Sequence, residues 1–195
     1  MSNLFSIIST ILVFIVYITY FKQTLIGKST PNPATWIIWL TVMIMNIFTY
    51  FTVVGGDYIK TMVPVTTTSF ALLIFLYALF WGKFTKLSIT ECVCLILAIV
   101  VGMFWKVTHD DIITNLLLQV ILAISFYPTI QRLLEKKSKE GPIPWALGVC
   151  AYIFLILSLC TGEEKQKWYA YAYPFVNGVL GNGSVAFIAF RQRRK

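Results

Sequence analysis

The sequence predicts an all-α integral membrane protein with seven transmembrane helices in a 3+1+3 parallel-repeat arrangement. Three observations carry that expectation: seven long apolar runs, a one-sided distribution of Lys and Arg between them, and a repeat offset by about 109 residues. Apolar residues make up 58% of the 195 positions and charged residues 12%. Soluble domains hold roughly 45–50% and about 25%. A chain this short cannot hide so much apolar surface in its own core, whereas a lipid bilayer accepts it directly. The formal net charge of +8 does not point to nucleic acid, because the basic residues sit in short clusters between apolar runs.

A helix needs about 20 apolar residues to span the hydrocarbon core, and it satisfies its own backbone polar groups there. Residues Leu4–Phe21 form the first such run. No Lys or Arg precedes it and no small-residue cleavage site ends it, so it reads as a retained helix rather than a leader. The second run is Thr35–Val54, after the breakers between Gly27 and Pro33. The third, Met62–Trp81, follows Gly55-Gly56-Asp57. The fourth, Leu87–Trp105, is the least apolar, with Glu91 near its start and Lys106 at its end, both placed to snorkel to the interface. The fifth is Ile112–Ile130, the sixth Trp145–Cys160 and the seventh Trp168–Phe190.

Seven spans put the N-terminus and the loops after helices two, four and six on one side. That side carries four Lys/Arg: Lys60, Lys106, Lys165 and Lys167. The other side carries twelve: Lys22, Lys28, Lys83, Lys86, Arg132, Lys136, Lys137, Lys139, Arg191, Arg193, Arg194 and Lys195. The positive-inside rule makes the second side cytoplasmic, with the N-terminus outside, in a cell (plasma or inner) membrane. Asp57, Asp110, Asp111, Glu163 and Glu164 then face out.

Lys28-Ser29, Pro33 and Trp36 recur as Lys137-Ser138, Pro142 and Trp145, each 109 residues on. Pro64 and Pro174 match at an offset of 110. The plan is a first three-helix bundle over residues 1–86, a linker helix over 87–109, and a second bundle with a basic tail over 110–195. One extra span keeps both copies pointing the same way, which gives a repeat about an axis along the membrane normal.

These residues resemble the PQ-loop superfamily, which includes the SWEET sugar transporters. The signature of that family is Pro-Gln near the end of the first helix of a bundle, with Lys-Ser nine and ten residues later. Here Pro128 precedes Lys137 and Ser138 at that spacing, with Gly141 after them, and Thr19 precedes Lys28 and Ser29. Neither copy has the literal Pro-Gln pair, since the residues are Thr19-Tyr20 and Pro128-Thr129. The stretch Tyr173-Pro174-Phe175-Val176-Asn177-Gly178 is similar to the Pro-Asn-x-x-Gly stretch in the last SWEET helix. The resemblance implies Asn177 as a substrate contact, Pro174, Pro128 and Gly178 as hinge or motif positions, and a facilitative transporter of a small polar, sugar-like solute. It also implies two rivals: a ligand-binding receptor or sorting protein of the same fold, and a carrier of a nucleoside-like vitamin precursor.

A transport path needs polar groups at membrane depth. Thr35, Trp39, Asn46 and Val53 share one face of the second helix. Asn46 supplies donors and an acceptor, and Trp39 a stacking surface. Thr67 is the repeat counterpart of Asn177. For Asn115 and Gln119 of the fifth helix, bonding between helices is the favoured reading. Asn182 lies five residues beyond Asn177, about 140° around an α-helix, which excludes it from the same path. With no titratable residue expected at the midplane, passive movement is predicted. No catalytic constellation, cofactor or metal site is expected: Cys92, Cys94, Cys150 and Cys160 lie in apolar runs, and His109 with Asp110 and Asp111 reads as a solvated loop. The expected partners are the bilayer and the solute, with room for a homo-oligomer.

Overall fold

A computed structural model describes residues 1–82, 87–162 and 166–193 of the chain. The tally positions Lys83, Lys86, Glu163, Glu164, Lys165, Arg194 and Lys195, and the side chain of Arg193, lie outside what it describes. The described residues are helical throughout: α1 Ser2–Leu25, α2 Pro33–Val53, α3 Tyr58–Trp81, α4 Ile89–Thr108, α5 Asp111–Leu134 and α6 Pro142–Cys160, followed by a seventh helical path. These six helices are each long and apolar enough to cross a membrane.

Local chemistry sets the helix starts. Pro33 occupies the first turn of α2, where its missing N–H costs nothing, and Asn32 Oδ1 accepts from the Ala34 N–H at 3.2 Å. Asp57 caps α3 by accepting from the Lys60 N–H at 3.0 Å, and Asp110 caps α5 through the Ile113 N–H at 2.9 Å. Ser88 and Glu91 form a reciprocal capping box at the start of α4.

The seventh path differs from the single α-helix that the apolar run predicts. It opens with a 3-10 turn, Trp168–Tyr171, passes through a π-helical stretch, Pro174–Asn182, and ends in α7, Gly183–Arg193. Pro174 opens the π stretch with no N–H to donate. The Asn182 side chain then donates Nδ2–H to the Asn177 carbonyl at 2.6 Å, a side-chain bridge over the five-residue interval of the wider winding.

The outer surface carries large apolar side chains, as a lipid surround accepts, and the interior combines an apolar core with small polar residues. Phe14, Phe48, Leu73, Ile96, Ile99 and Phe187 are exposed. Ser6, Ser9, Asn46, Thr49, Thr114, Asn115 and Ser158 are fully or almost fully buried. Helix α1 packs on α6 through small polar residues, with Ser6 Oγ and Ser158 Oγ 2.7 Å apart and Ser9 Oγ donating to the Ala151 carbonyl at 2.7 Å. Helix α2 packs on α5. Helix α3 packs on both α1 and α2, and the seventh path on both α5 and α6. Helix α4 lies against α5 and α2.

Candidate functional site: the seam between α1, α2, α5 and α6

The described elements converge on a central cavity of about 50 Å³. Helix α2 presents Trp36, Trp39 and Met43 at helical spacing, and α6 presents Trp145, Gly148 and Tyr152. Tyr17 and Tyr20 come from α1, Thr67 from α3, Phe126 from α5, and Asn177 and Asn182 from the seventh path. The lining is uncharged. A polar cavity of this size has room for water. Small-molecule pockets run to roughly 300 Å³ or more, so a solute enters only if the walls part.

Its polar groups are tightly held. Asn177 donates Nδ2–H to the Tyr152 hydroxyl at 2.7 Å, and that hydroxyl lies 2.9 Å from the hydroxyl of Tyr173. Trp39 donates Nε1–H to Ser125 Oγ at 2.8 Å. Thr67 Oγ1 is buried beside the Tyr152 and Tyr173 hydroxyls. Two glycines make room for these groups. A Cβ on Gly178 would sit 2.1 Å from Tyr152 Cβ, and one on Gly148 would sit 2.6 Å from Asn182 Oδ1.

Asn177 and Asn182 both line the cavity, which corrects the expectation that they face different ways. That expectation assumed α-helical winding. In a π-helix, whose hydrogen bonds link residues five apart, such residues fall on the same side. Asn46 is also placed differently from the expected substrate contact. It faces α5 and lines no part of the cavity: Oδ1 accepts from Asn115 Nδ2 and Gln119 Nε2, each at 3.0 Å. The face it shares with Thr35 and Trp39 exists as predicted, but all three turn toward α5, through Asn115 and Gln119, Arg132, and Ser125 respectively. Bonding between helices at Asn115 and Gln119 is as expected.

The two ends of the cavity differ. At one end Tyr50 and Tyr173 are fully buried, with ring centroids 5.0 Å apart. At the other end, the one with the basic turns, the rings of Tyr20, Trp36, Trp39 and Trp145 close together, Tyr20 lying 5.5 Å from Trp36 and 5.9 Å from Trp145. Beyond them is a narrow neck of about 20 Å³, bounded by Thr35, Thr129, Arg132 and Glu140. The neck shares Thr30, Asn32, Arg132 and Ser138 with a wide vestibule of about 440 Å³ between the two basic turns.

Two acidic residues in this region were not among the residues the sequence singled out as a site. Glu91, read there as snorkelling, is fully buried. Its Oε2 accepts from Arg132 Nη2 at 2.6 Å and from the Ser88 N–H at 2.9 Å, and its Oε1 accepts from Thr35 Oγ1 at 2.9 Å. Arg132 Nη1 also donates to Thr35 Oγ1 at 3.1 Å. The pair is satisfied internally because α4 packs its first turn against α2 and α5 rather than facing headgroups. Glu140 accepts from Trp145 Nε1–H at 3.1 Å and from the Tyr20 hydroxyl at 3.4 Å. Burial pushes its carboxyl up to about 7, more than the hydrogen bonds from Trp145, Ser29 and Tyr20 pull it down. The only early sign of Glu140 was its place between Ser138 and Gly141 in the second motif.

The motif residues form the turns themselves. Lys28 and Ser29 N–H groups donate to the Gln23 carbonyl at 2.8 and 3.1 Å, and Lys137 and Ser138 N–H groups donate to the Arg132 carbonyl at 2.9 and 3.3 Å. Ser29 Oγ accepts from the Gly141 N–H at 3.2 Å, tying one turn to the other. Lys137 pairs with Glu135 at 2.7 Å. Pro128 is buried inside α5, which runs on past it. Comparison with known protein families, characterised proteins and solved structures finds no match to this chain.

Proposed function

We propose that this chain is a facilitative carrier of a small polar solute, related to the PQ-loop and SWEET transporters and working by alternating access between two three-helix bundles. The observation that carries this reading is the succession of spaces from vestibule through neck to central cavity, each sharing lining residues with the next, with the Tyr50–Tyr173 contact beyond the last. With aromatic rings narrowing the basic end and Tyr50–Tyr173 shutting the other, the cavity is occluded, a state through which alternating access passes.

The 3+1+3 plan is supported by packing. Helix α3 touches α1 and α2 as the seventh path touches α5 and α6, and α1 meets α6 as α5 meets α2. In this reading α1–α3 and α5–α7 are the two moving bodies, and α4 is the linker. The basic turns face the cytoplasm, so the Tyr50–Tyr173 closure is on the outer side. A C-terminal epitope should be reached by antibody only after permeabilisation; labelling of intact cells would reverse the orientation.

Asn177, Asn182, Thr67 and Tyr152 present donors and acceptors without charge, between aromatic faces that suit a flat neutral ring. The test is uptake by purified protein in liposomes against a panel of sugars, amino acids and nucleosides. Counterflow of at least one neutral solute is expected. The second reading, a receptor or sorting protein that passes nothing, is favoured by the small volume of the closed cavity. Ligand binding without counterflow would select it.

A further inference from the structure

Glu140 occupies an unusual place. Its residue bounds both the neck and a separate surface pocket of about 350 Å³, formed with Lys136, Ser138, Lys139, Ala189 and Gln192. It therefore stands in the wall between the neck and that surface pocket. Its side chain bridges the two halves, accepting from Tyr20 of α1 and from Trp145 of α6, both of which line the central cavity. These two hydrogen bonds hold the aromatic constriction in place.

Among the described residues, none pairs with a negative charge here. Helix α1 offers Tyr20, α6 offers Trp145, the facing turn offers Ser29 and α7 offers Gln192, none of them cationic. Helix α5 offers Arg132, but Glu91 of α4 already holds it at 2.6 Å. Lys136 and Lys139 of its own turn bound the surface pocket, and among the described residues no cation forms an ion pair with Glu140. A half-buried carboxylate without a paired cation is disfavoured, whereas the neutral acid fits.

We infer that Glu140 binds one proton as the neck closes, so that passage between vestibule and central cavity is shut at low pH on the basic side and opens as pH rises. This rests on the reading of the seam as a solute path. Glu140 acts at one end of the path rather than at its centre, so the proton gates movement without driving it. The sign follows from linkage: the closed form holds its proton up to about pH 7, against an ordinary value of 4.5 for the hydrated carboxylate. Opening therefore strengthens by about tenfold per pH unit across that window and levels off above it.

The test needs no known solute. Thr129, on the neck, is replaced by Cys in full-length protein whose four native cysteines are Ala, reconstituted in nanodiscs. Modification by a methanethiosulfonate reagent is followed from pH 5 to 8, with rates corrected for thiolate fraction. A rise to a plateau near pH 7 is expected, together with a flat profile once Glu140→Gln is added. Identical profiles with and without Glu140→Gln overturn the inference. A second measurement avoids the cysteine changes: infrared pH-difference spectra of otherwise native protein should show a protonated carboxyl band that fades through about pH 7 and is missing in Glu140→Gln. A band unchanged by that substitution also overturns it. Liposome counterflow separates the two ideas: a flat neck profile with counterflow retained removes the gate alone, and a titrating neck without counterflow removes the carrier reading alone.

Discussion

Thr30 and Lys139 hydrogen-bond to each other across the seam, the Thr30 N–H to the Lys139 carbonyl at 3.0 Å and the Lys139 N–H to Thr30 Oγ1 at 3.1 Å. They are also 109 positions apart, the spacing that relates Lys28-Ser29 to Lys137-Ser138. On the proposed 3+1+3 reading, residues that meet their own counterparts would lie close to the axis relating the two bundles. The same offset relates Leu25 to Leu134, where α1 and α5 end, and Gly27 to Lys136, both with left-handed backbone at φ 70° and 57°. Lys136 accepts a conformation that Gly27 adopts freely, so that the second turn can copy the first.

Asn177 is the side chain on which the carrier reading depends most. Asn177→Ala should abolish counterflow while leaving expression and detergent-solubilised monodispersity unchanged. Tyr152→Phe removes the acceptor of Asn177 and should cost about 1–3 kcal/mol through the buried amide it leaves unpaired. Thermal unfolding in detergent reads the second effect and substrate counterflow the first. Full counterflow by Asn177→Ala would place the path elsewhere.

The Glu91–Arg132 pair should behave as a buried ion pair. Removing one partner, as in Arg132→Met, leaves an uncompensated charge and should cost about 3–5 kcal/mol. The double variant Glu91→Gln with Arg132→Met should recover much of that loss. Melting temperatures of wild type, Arg132→Met, Glu91→Gln and the double variant decide the matter, and simple additivity of the two single effects would show that the groups do not act as a pair.

Gly178→Ala should destabilise the protein by about 1–3 kcal/mol, because the new methyl meets the base of the Tyr152 side chain and forces α6 away from the seventh path. Gly183→Ala is the control, with Val149 Cγ2 at 3.7 Å as its nearest neighbour. Equal melting temperatures for the two variants would contradict the close approach.

Asp57 gives a stability effect at acid pH. Burial works against its charge, but hydrogen bonds from the Lys60 side chain and N–H outweigh it and hold the carboxyl below 3.8. A depressed carboxylate stabilises the fold above its unfolded value and loses that contribution as pH falls through its folded value. Asp57→Asn should therefore lower the melting temperature at neutral pH and narrow the gap to wild type below about pH 4. A gap independent of pH would mean that the cap acts through shape alone.

The helices were legible because lipid imposes one rule on every span: long apolar runs with punctuation between them. The turns were legible through Lys-Ser, Pro and Trp, which share backbone geometry in both copies. Glu91 and Glu140 were harder to read. Each is a single acidic residue near a helix end, and only the convergence of Thr35, Arg132, Tyr20 and Trp145 from distant positions distinguishes a buried partner from a surface charge. Asn46 misled because a helix face is visible in sequence but its neighbour is not. Asn182 was excluded by assuming regular winding, a local property that Pro174 changes.

The π-helical stretch makes register a variable in its own right. A π segment carries a surplus residue relative to an α-helix of the same length, so deleting one position, such as Val179, would let the winding tighten. Asn182 would then stand four residues from Asn177 on an α-helix, about 40° around the axis, and would keep its side of the path. A change of aim comes instead if the surplus turn migrates along the helix, as a crease moves along a carpet. Sliding the wide turn past Gly178 or Gly181 would re-aim one amide at a time, letting this strand of the path change what it presents without moving the helix as a whole.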